Sequence, residues 1–110
     1  MRYFETVFLD EVVRFFDRLD QRLLSKILYN IELAEHTYDS RLFKKIGSDI
    51  WEFRTRYSGI QVRLLAFWDK RDNDKTMVIA TSGFIKKNKK IPIGEIKKAI
   101  GLKEMYFNRI

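Results

Sequence analysis

The sequence predicts an α+β domain of order β-α-α-β-β-β-α: a mainly antiparallel twisted sheet with its helices on one face, led by a helical hairpin. Three observations carry that expectation. Residues 50–68 alternate with a period of two on either side of Ser58-Gly59, the pattern of a β-hairpin. Residues 10–36 carry apolar side chains at helical spacing, interrupted once near Asp20, as two helices on a short link would. Residues 76–83, T-M-V-I-A-T-S-G, are apolar on both faces, as a strand inside a sheet must be.

Taken in order, residues 2–9 form a short first strand, with Phe4, Thr6 and Phe8 against Tyr3, Val7 and Leu9. Asp10 is the expected N-cap of the first helix, and Glu11 sits in the first turn, where the helix dipole favours a carboxylate. Val12, Val13, Phe15, Phe16 and Leu19 follow at helical spacing, giving one short amphipathic helix. Asp20 caps the second helix, and Leu19 and Leu24 stand at the two positions of a hydrophobic staple. That helix runs to about His36, and residues 37–49 read as a connection carrying Arg41, Lys44 and Lys45. In the hairpin, Trp51, Phe53, Thr55 and Tyr57 share one face, while Glu52, Arg54 and Arg56 share the other. A tight turn pairs Tyr57 with Ile60, Thr55 with Val62, Phe53 with Leu64 and Arg54 with Arg63, so the apolar sides match. Residues 69–75 link the hairpin to the strand at 76–83. The segment F-I-K-K-N-K-K-I-P then leads into a last helix through Ile96, Ala99, Ile100 and Phe107, weakened by Gly94 and Gly101.

At 110 residues the chain fits a single domain, residues 1–110. The absence of cysteine excludes a disulfide framework and any thiolate metal site. His36 is the only histidine and is placed to serve the carbonyls at a helix end, so no metal or other cofactor is expected. No apolar run approaches a membrane span and M-R-Y-F-E-T lacks a signal-peptide pattern; a cytoplasmic protein without a membrane partner is expected. The net charge of +7 is segregated: residues 1–40 hold 5 Lys/Arg against 8 Asp/Glu, and residues 41–110 hold 17 against 7. Such a field attracts a polyanion or an acidic partner.

The candidate chemistry is arginine and lysine on a sheet. Arg54 opposite Arg63 is a like-charge pair, unfavourable by ~0.2–1 kcal/mol; a bound anion would relieve it, and two solvated arginines are the plainer alternative. Arg54, Arg56 and Arg63 come from the hairpin, and Lys86, Lys87, Lys89 and Lys90 follow the last strand. Guanidinium forks grip phosphate and lysines supply point charge. Such a set can hold a nucleic-acid backbone. It can also promote RNA cleavage, in which the nucleophile is the substrate's own 2′-hydroxyl. Lys44 and Lys45 extend the basic set, and Tyr57, Phe84 and Tyr106 are candidates to stack bases, each with core packing as the alternative.

The run W-E-F-R-x-R-Y-S-G-x-x-x-R-L-L-x-F-W, the strand ending G-F-I-K-K-N-K-K-I-P, and E-I-K-K-A-I in the final helix resemble the RelE/ParE superfamily of bacterial toxins, most closely its phage-related, HigB-like branch. The resemblance covers nearly the whole chain. It implies the toxin of a type II toxin–antitoxin pair: a metal-independent mRNA endoribonuclease, acting on the ribosome and held by an antitoxin of helix-turn-helix, DNA-binding type. By position, Arg54 and Arg63 match the family's basic residues on the second and third strands, and Lys86 and Lys87 fall near the one after the last strand. Where RelE proteins carry a further basic residue, this chain has Glu52, and Ile91-Pro92-Ile93 offers no stacking tyrosine. The general base stays open among Glu52, a lysine of the 86–90 cluster, and none. A ParE-like inhibitor of DNA gyrase and a non-catalytic RNA- or partner-binding domain stand as alternatives.

Overall fold

A computed structural model describes residues 1–109. The hairpin lies at the centre of the fold. It pairs β3 (Ile50–Tyr57) with β4 (Ile60–Asp69) in the expected register, Phe53 opposite Leu64, Arg54 opposite Arg63 and Thr55 opposite Val62. Its two-residue turn places Ser58 at φ 49° and Gly59 at φ 78°, and a left-handed pair of this kind follows the natural twist of the strands. β5 (Met77–Ile85) runs antiparallel to β4, and β1 (Glu5–Phe8) lies parallel to β5 at one edge.

The opposite edge is a strand that the sequence pattern conceals. β2 (Phe43–Gly47) pairs antiparallel with β3, giving five strands in the order β1-β5-β4-β3-β2. The expected connection at 37–49 is therefore partly strand, and the element order gains one β. A register shift between Lys45 and Gly47 breaks the period of two, and the adjacent lysines are the kind of charge that protects a sheet edge from further pairing.

α1 (Asp10–Asp17) and α2 (Gln21–Thr37) cover one face. The N-cap of α1 is Leu9 rather than Asp10, so Asp10 and Glu11 both sit in the first turn, where their negative charge is favoured by the positive end of the helix dipole. Asp20 does occupy the N-cap of α2, without a side-chain cap hydrogen bond; Leu19 and Leu24 both pack on the core beneath. That core joins Val12, Phe15, Leu23, Ile27 and Ile31 to Phe43, Phe53, Val62, Leu64 and Val78. At Gly83, inside β5, an added Cβ would lie 2.4 Å from the Phe15 ring and 2.6 Å from Leu64. The missing side chain is what lets α1 settle onto the sheet.

α3 (Ile93–Phe107) lies on the other face, so the helices are not confined to one side. The reason is in β4. Leu65 and Phe67 alternate with Leu64 and Ala66, making the strand apolar on both faces, and each face must be covered. Leu65 and Phe67 join Ile50, Ile79 and Ala99 in a second core, with Ile96, Ile100, Tyr106 and Phe107 packed against it.

Candidate nucleic-acid interface

On the α3 side of the sheet, α3 packs over Ile50, Leu65 and Phe67, towards one end of β3 and β4. Near the turn the same face carries Glu52, Arg54 and Arg56 from β3 and Arg63 from β4. Glu52 and Arg63 are nonetheless buried, at 6% and 4% exposure, and Arg54 is half-buried. The sequence left open whether the two arginines await an anion or are simply solvated; in the structure one carboxylate lies between them. Glu52 Oε1 is 3.3 Å from Arg63 Nε, and Glu52 Oε2 is 3.4 Å from Arg54 Nε. Neither Glu52 Oε1 nor Arg63 Nε makes a hydrogen bond, so the Glu52–Arg63 contact is Coulombic rather than directional.

Two further contacts hold the Arg63 guanidinium. Its Nη1 donates to the Val62 carbonyl at 3.1 Å and its Nη2 to Gln61 Oε1 at 3.2 Å. A guanidinium has five N–H donors, so several remain unused in a nearly buried group. Burial pushes the Arg63 pKa down, Glu52 pulls it up, and Arg54 pushes it down again. An anion in the cleft would therefore meet free donors on this guanidinium and the surplus positive charge of two arginines sharing one carboxylate.

Beside the arginines, a cleft of about 620 Å³ opens between α2 and the hairpin. Lys26, Tyr29, Asn30 and Leu33 line it from α2, Arg41 and Leu42 from the link to β2, and Arg54, Thr55, Arg56, Gln61 and Arg63 from the hairpin. Five of these are cations and none is a carboxylate or a histidine. The cleft exists because β2 stops short. Its last contact with β3 in this direction is the Arg54 N–H donating to the Leu42 carbonyl at 2.8 Å, which leaves residues 55–57 of β3 as free edge. A buried hydrogen bond from Asn30 Nδ2 to Thr55 Oγ1, 3.3 Å, fixes α2 across the gap. Arg41 is partly neutralised: its side chain grips Asp39, with an Nη2–Oδ2 distance of 2.7 Å, which holds that carboxyl below its usual pKa.

The other sequence candidates divide. Lys86 continues β5 beyond its last residue, its N–H donating to the Gln61 carbonyl at 2.7 Å; this sets it beside the turn end of β4. Lys87, Lys89 and Lys90 follow as exposed residues before α3. Phe84 pairs with Arg63 in register and is half-buried against the second core. Lys44 is exposed on β2 opposite Glu52, so it shares the arginine face. Lys45 alternates onto the other face and pairs with Asp49 at 3.2 Å. Tyr57 packs against the first core, on the opposite face from the arginines. Tyr106 stands at the far end of β4, donating to Asp69 Oδ2 at 2.7 Å. Six residues of strand separate Asp69 from Arg63, about 20 Å. Lys45, Tyr57 and Tyr106 are thus not part of the arginine cluster.

Residues 14–104 match the family described as phage derived protein Gp49-like (DUF891). The chain belongs to that family. The Gp49-like family is RelE-like and toxin-like, which agrees with the superfamily resemblance seen in the sequence, and the α+β architecture is consistent with a RelE-like fold. Comparison with curated proteins gives no match. No helix among the described residues is long and apolar enough to cross a membrane.

Sequence reasoning missed Lys26, Tyr29 and Arg41 as cleft residues. Lys26, Tyr29, Asn30 and Leu33 stand at helical spacing on one stripe of α2, a signal that was present. What the stripe faces is decided only by packing.

Proposed function

We propose that this Gp49-like protein is the toxin of a type II toxin–antitoxin pair and that it cuts mRNA on the ribosome, with the arginine cleft as its active site. The observation that carries the reading is Arg63: a nearly buried guanidinium with unused donors, opening on a cleft with four more cations and no carboxylate.

The reaction that suits such a site is attack by the RNA's own 2′-hydroxyl on the adjacent phosphate. The 2′-oxygen forms a new bond to phosphorus and the bond to the 5′-oxygen breaks, leaving a 2′,3′-cyclic phosphate and a 5′-hydroxyl. With no carboxylate or histidine on the cleft wall, water takes the 2′ proton and returns one to the 5′-oxygen. The protein's share is alignment and charge. Arg63 and Arg54 bind the non-bridging oxygens as charge gathers there, in a site already oriented for it. Arg56, Lys26 and Arg41 hold neighbouring phosphates. Lys86 and Lys87, with Lys89 and Lys90 beyond them, extend the positive field along the chain. The side chains supply the positive charge, so the reading asks for no metal ion. Glu52 does not line the cleft, and its role is to hold Arg54 and Arg63 in place rather than to act as a base.

The proposed partners are mRNA, the ribosome and an antitoxin, of helix-turn-helix type if the HigB-like resemblance holds; action on ribosomes sets the protein in the cytoplasm. A gyrase inhibitor has no use for a buried arginine with free donors. The test is primer extension on mRNA from cells induced to make the protein, with Arg63→Lys alongside. Lysine keeps the charge and loses the fork, so cleavage should fall ~10²–10³-fold with the fold intact. Normal growth and intact mRNA in cells full of folded wild-type protein would overturn the reading.

A further inference from the structure

A second pocket lies beyond the 38–42 link from the arginine cleft. It is about 300 Å³ and is lined by Tyr38, Trp51, Trp68, Lys45, Lys70 and Lys103, with Asp49 at its rim. We infer that this pocket is a nucleotide-binding subsite that takes one base of a single-stranded RNA against its aromatic wall and a phosphate on its lysines.

The aromatic rings are packed together into one wall of the pocket. Trp51 and Trp68 meet edge to face at 5.5 Å, and Tyr38 lies 6.1 Å from Trp51 and 5.9 Å from Trp68. Tyr38 is the outer ring of that wall: it ends α2 in the left-handed conformation, φ 53°, and is 43% exposed. A non-glycine residue there costs roughly 1–3 kcal/mol; the ring packs on Tyr3 and Phe43 on one side and keeps an exposed face on the other. Lys70 Nζ stands 4.8 Å over the Trp68 ring. Lys45 is matched by Asp49, whereas Lys70 and Lys103 form no ion pair among the described residues. Stacking faces beside unpaired lysines are what single-stranded nucleic acid binding uses, since every base has a π-face and every nucleotide a phosphate. An acidic peptide would use the lysines and leave the rings idle.

The location is continuous with the cleft. Tyr38 lines the pocket, and Arg41 and Leu42, in the same link, line the cleft. Trp51 shares its face of β3 with Thr55, which lines the cleft four residues along the strand, about 13 Å away. That one polymer enters both rests on the RNA reading of the cleft; the nucleotide affinity of the pocket does not.

The chain has two tryptophans, and both line this pocket, so their fluorescence reports on it directly. The purified protein is titrated with adenosine 5′-monophosphate, with a 2′-deoxy oligonucleotide that cannot be cut, and with poly-glutamate. The mononucleotide and the oligonucleotide should quench the emission and poly-glutamate should not. Lys70→Glu should weaken quenching with the melting temperature unchanged. Tyr38→Asn, which suits the left-handed backbone, should weaken it roughly 5- to 150-fold, the ~1–3 kcal/mol that one stacked base contributes. The cleft variant Arg56→Glu should lose oligonucleotide affinity and keep mononucleotide quenching. Oligonucleotide binding by anisotropy with no quenching by either nucleotide would overturn the subsite and leave the cleft standing. Quenching by the mononucleotide without oligonucleotide affinity would retain the subsite and remove the cleft. Equal quenching by poly-glutamate would overturn the nucleotide assignment.

Discussion

Removing either partner of the Glu52–Arg63 pair should destabilise the fold, and removing Glu52 should do more damage. Both side chains are at most 8% exposed and 3.3 Å apart. Breaking a buried pair leaves an uncompensated charge and costs ~3–5 kcal/mol. Arg63→Met leaves Glu52 with Arg54, which is 3.4 Å away and 36% exposed, so the loss should lie near the lower end, ~3 kcal/mol. Glu52→Leu leaves Arg63 buried with no counterion and restores the repulsion with Arg54 across the strands, a further ~0.2–1 kcal/mol; the total should reach ~4–5 kcal/mol. For a domain of this size ~3 kcal/mol corresponds to a melting point lower by about 12 °C or more. The double variant removes both charges and should return to within ~1 kcal/mol of the wild type, because an apolar pair of similar volume is commonly as stable as a buried ion pair. Urea unfolding of the four proteins closes the double-mutant cycle. Single variants that each lose less than about 1 kcal/mol, or a double variant as weak as the sum of its parts, would refute a coupled buried pair. An Arg63→Ala change, harmless if that arginine were solvent-exposed, is for the same reason a poor probe of catalysis, and Arg63→Lys is the better one.

Other outcomes follow from the same coordinates. With five cations lining the cleft, RNA affinity should fall with salt at a log–log slope of about −3 to −4; a slope near zero, read by filter binding across a salt series, would remove the polyanion. Gly83→Ala should cost ~1–3 kcal/mol through overpacking against Phe15 and Leu64, visible as a lower urea midpoint at unchanged slope. Arg71, and then Tyr106, hold the Asp69 carboxyl well below the usual carboxylate range through hydrogen bonds. A depressed folded pKa means that the unfolded chain binds the proton more readily. This contribution is therefore full above the unfolded pKa of ~3.9 and is lost as the pH falls below it. Asp69→Asn should flatten the acid limb of stability between about pH 4 and 2; an acid limb as steep as that of the wild type would place the effect elsewhere.

The hairpin and its register were legible because a period of two on each side of Ser58-Gly59 admits only one way to bury Phe53, Val62 and Leu64 together. The two-helix hairpin, the strand at β5, the toxin superfamily and the Arg54–Arg63 juxtaposition were legible for the same reason: each is a local pattern or a spacing along one strand pair. Whether those arginines meet water was not. Alternation assigns Arg63 to a face, but only tertiary packing makes that part of the face an interior, and only there does Glu52 become a counterion. β2 escaped notice because an edge strand needs little apolar sequence, and its early end, which opens the cleft, is a matter of pairing between distant segments. Lys26 and Tyr29 became cleft residues, and Tyr57 and Tyr106 did not, through packing that no spacing records: a sequence lists which side chains share a face, and the fold decides what that face is pressed against.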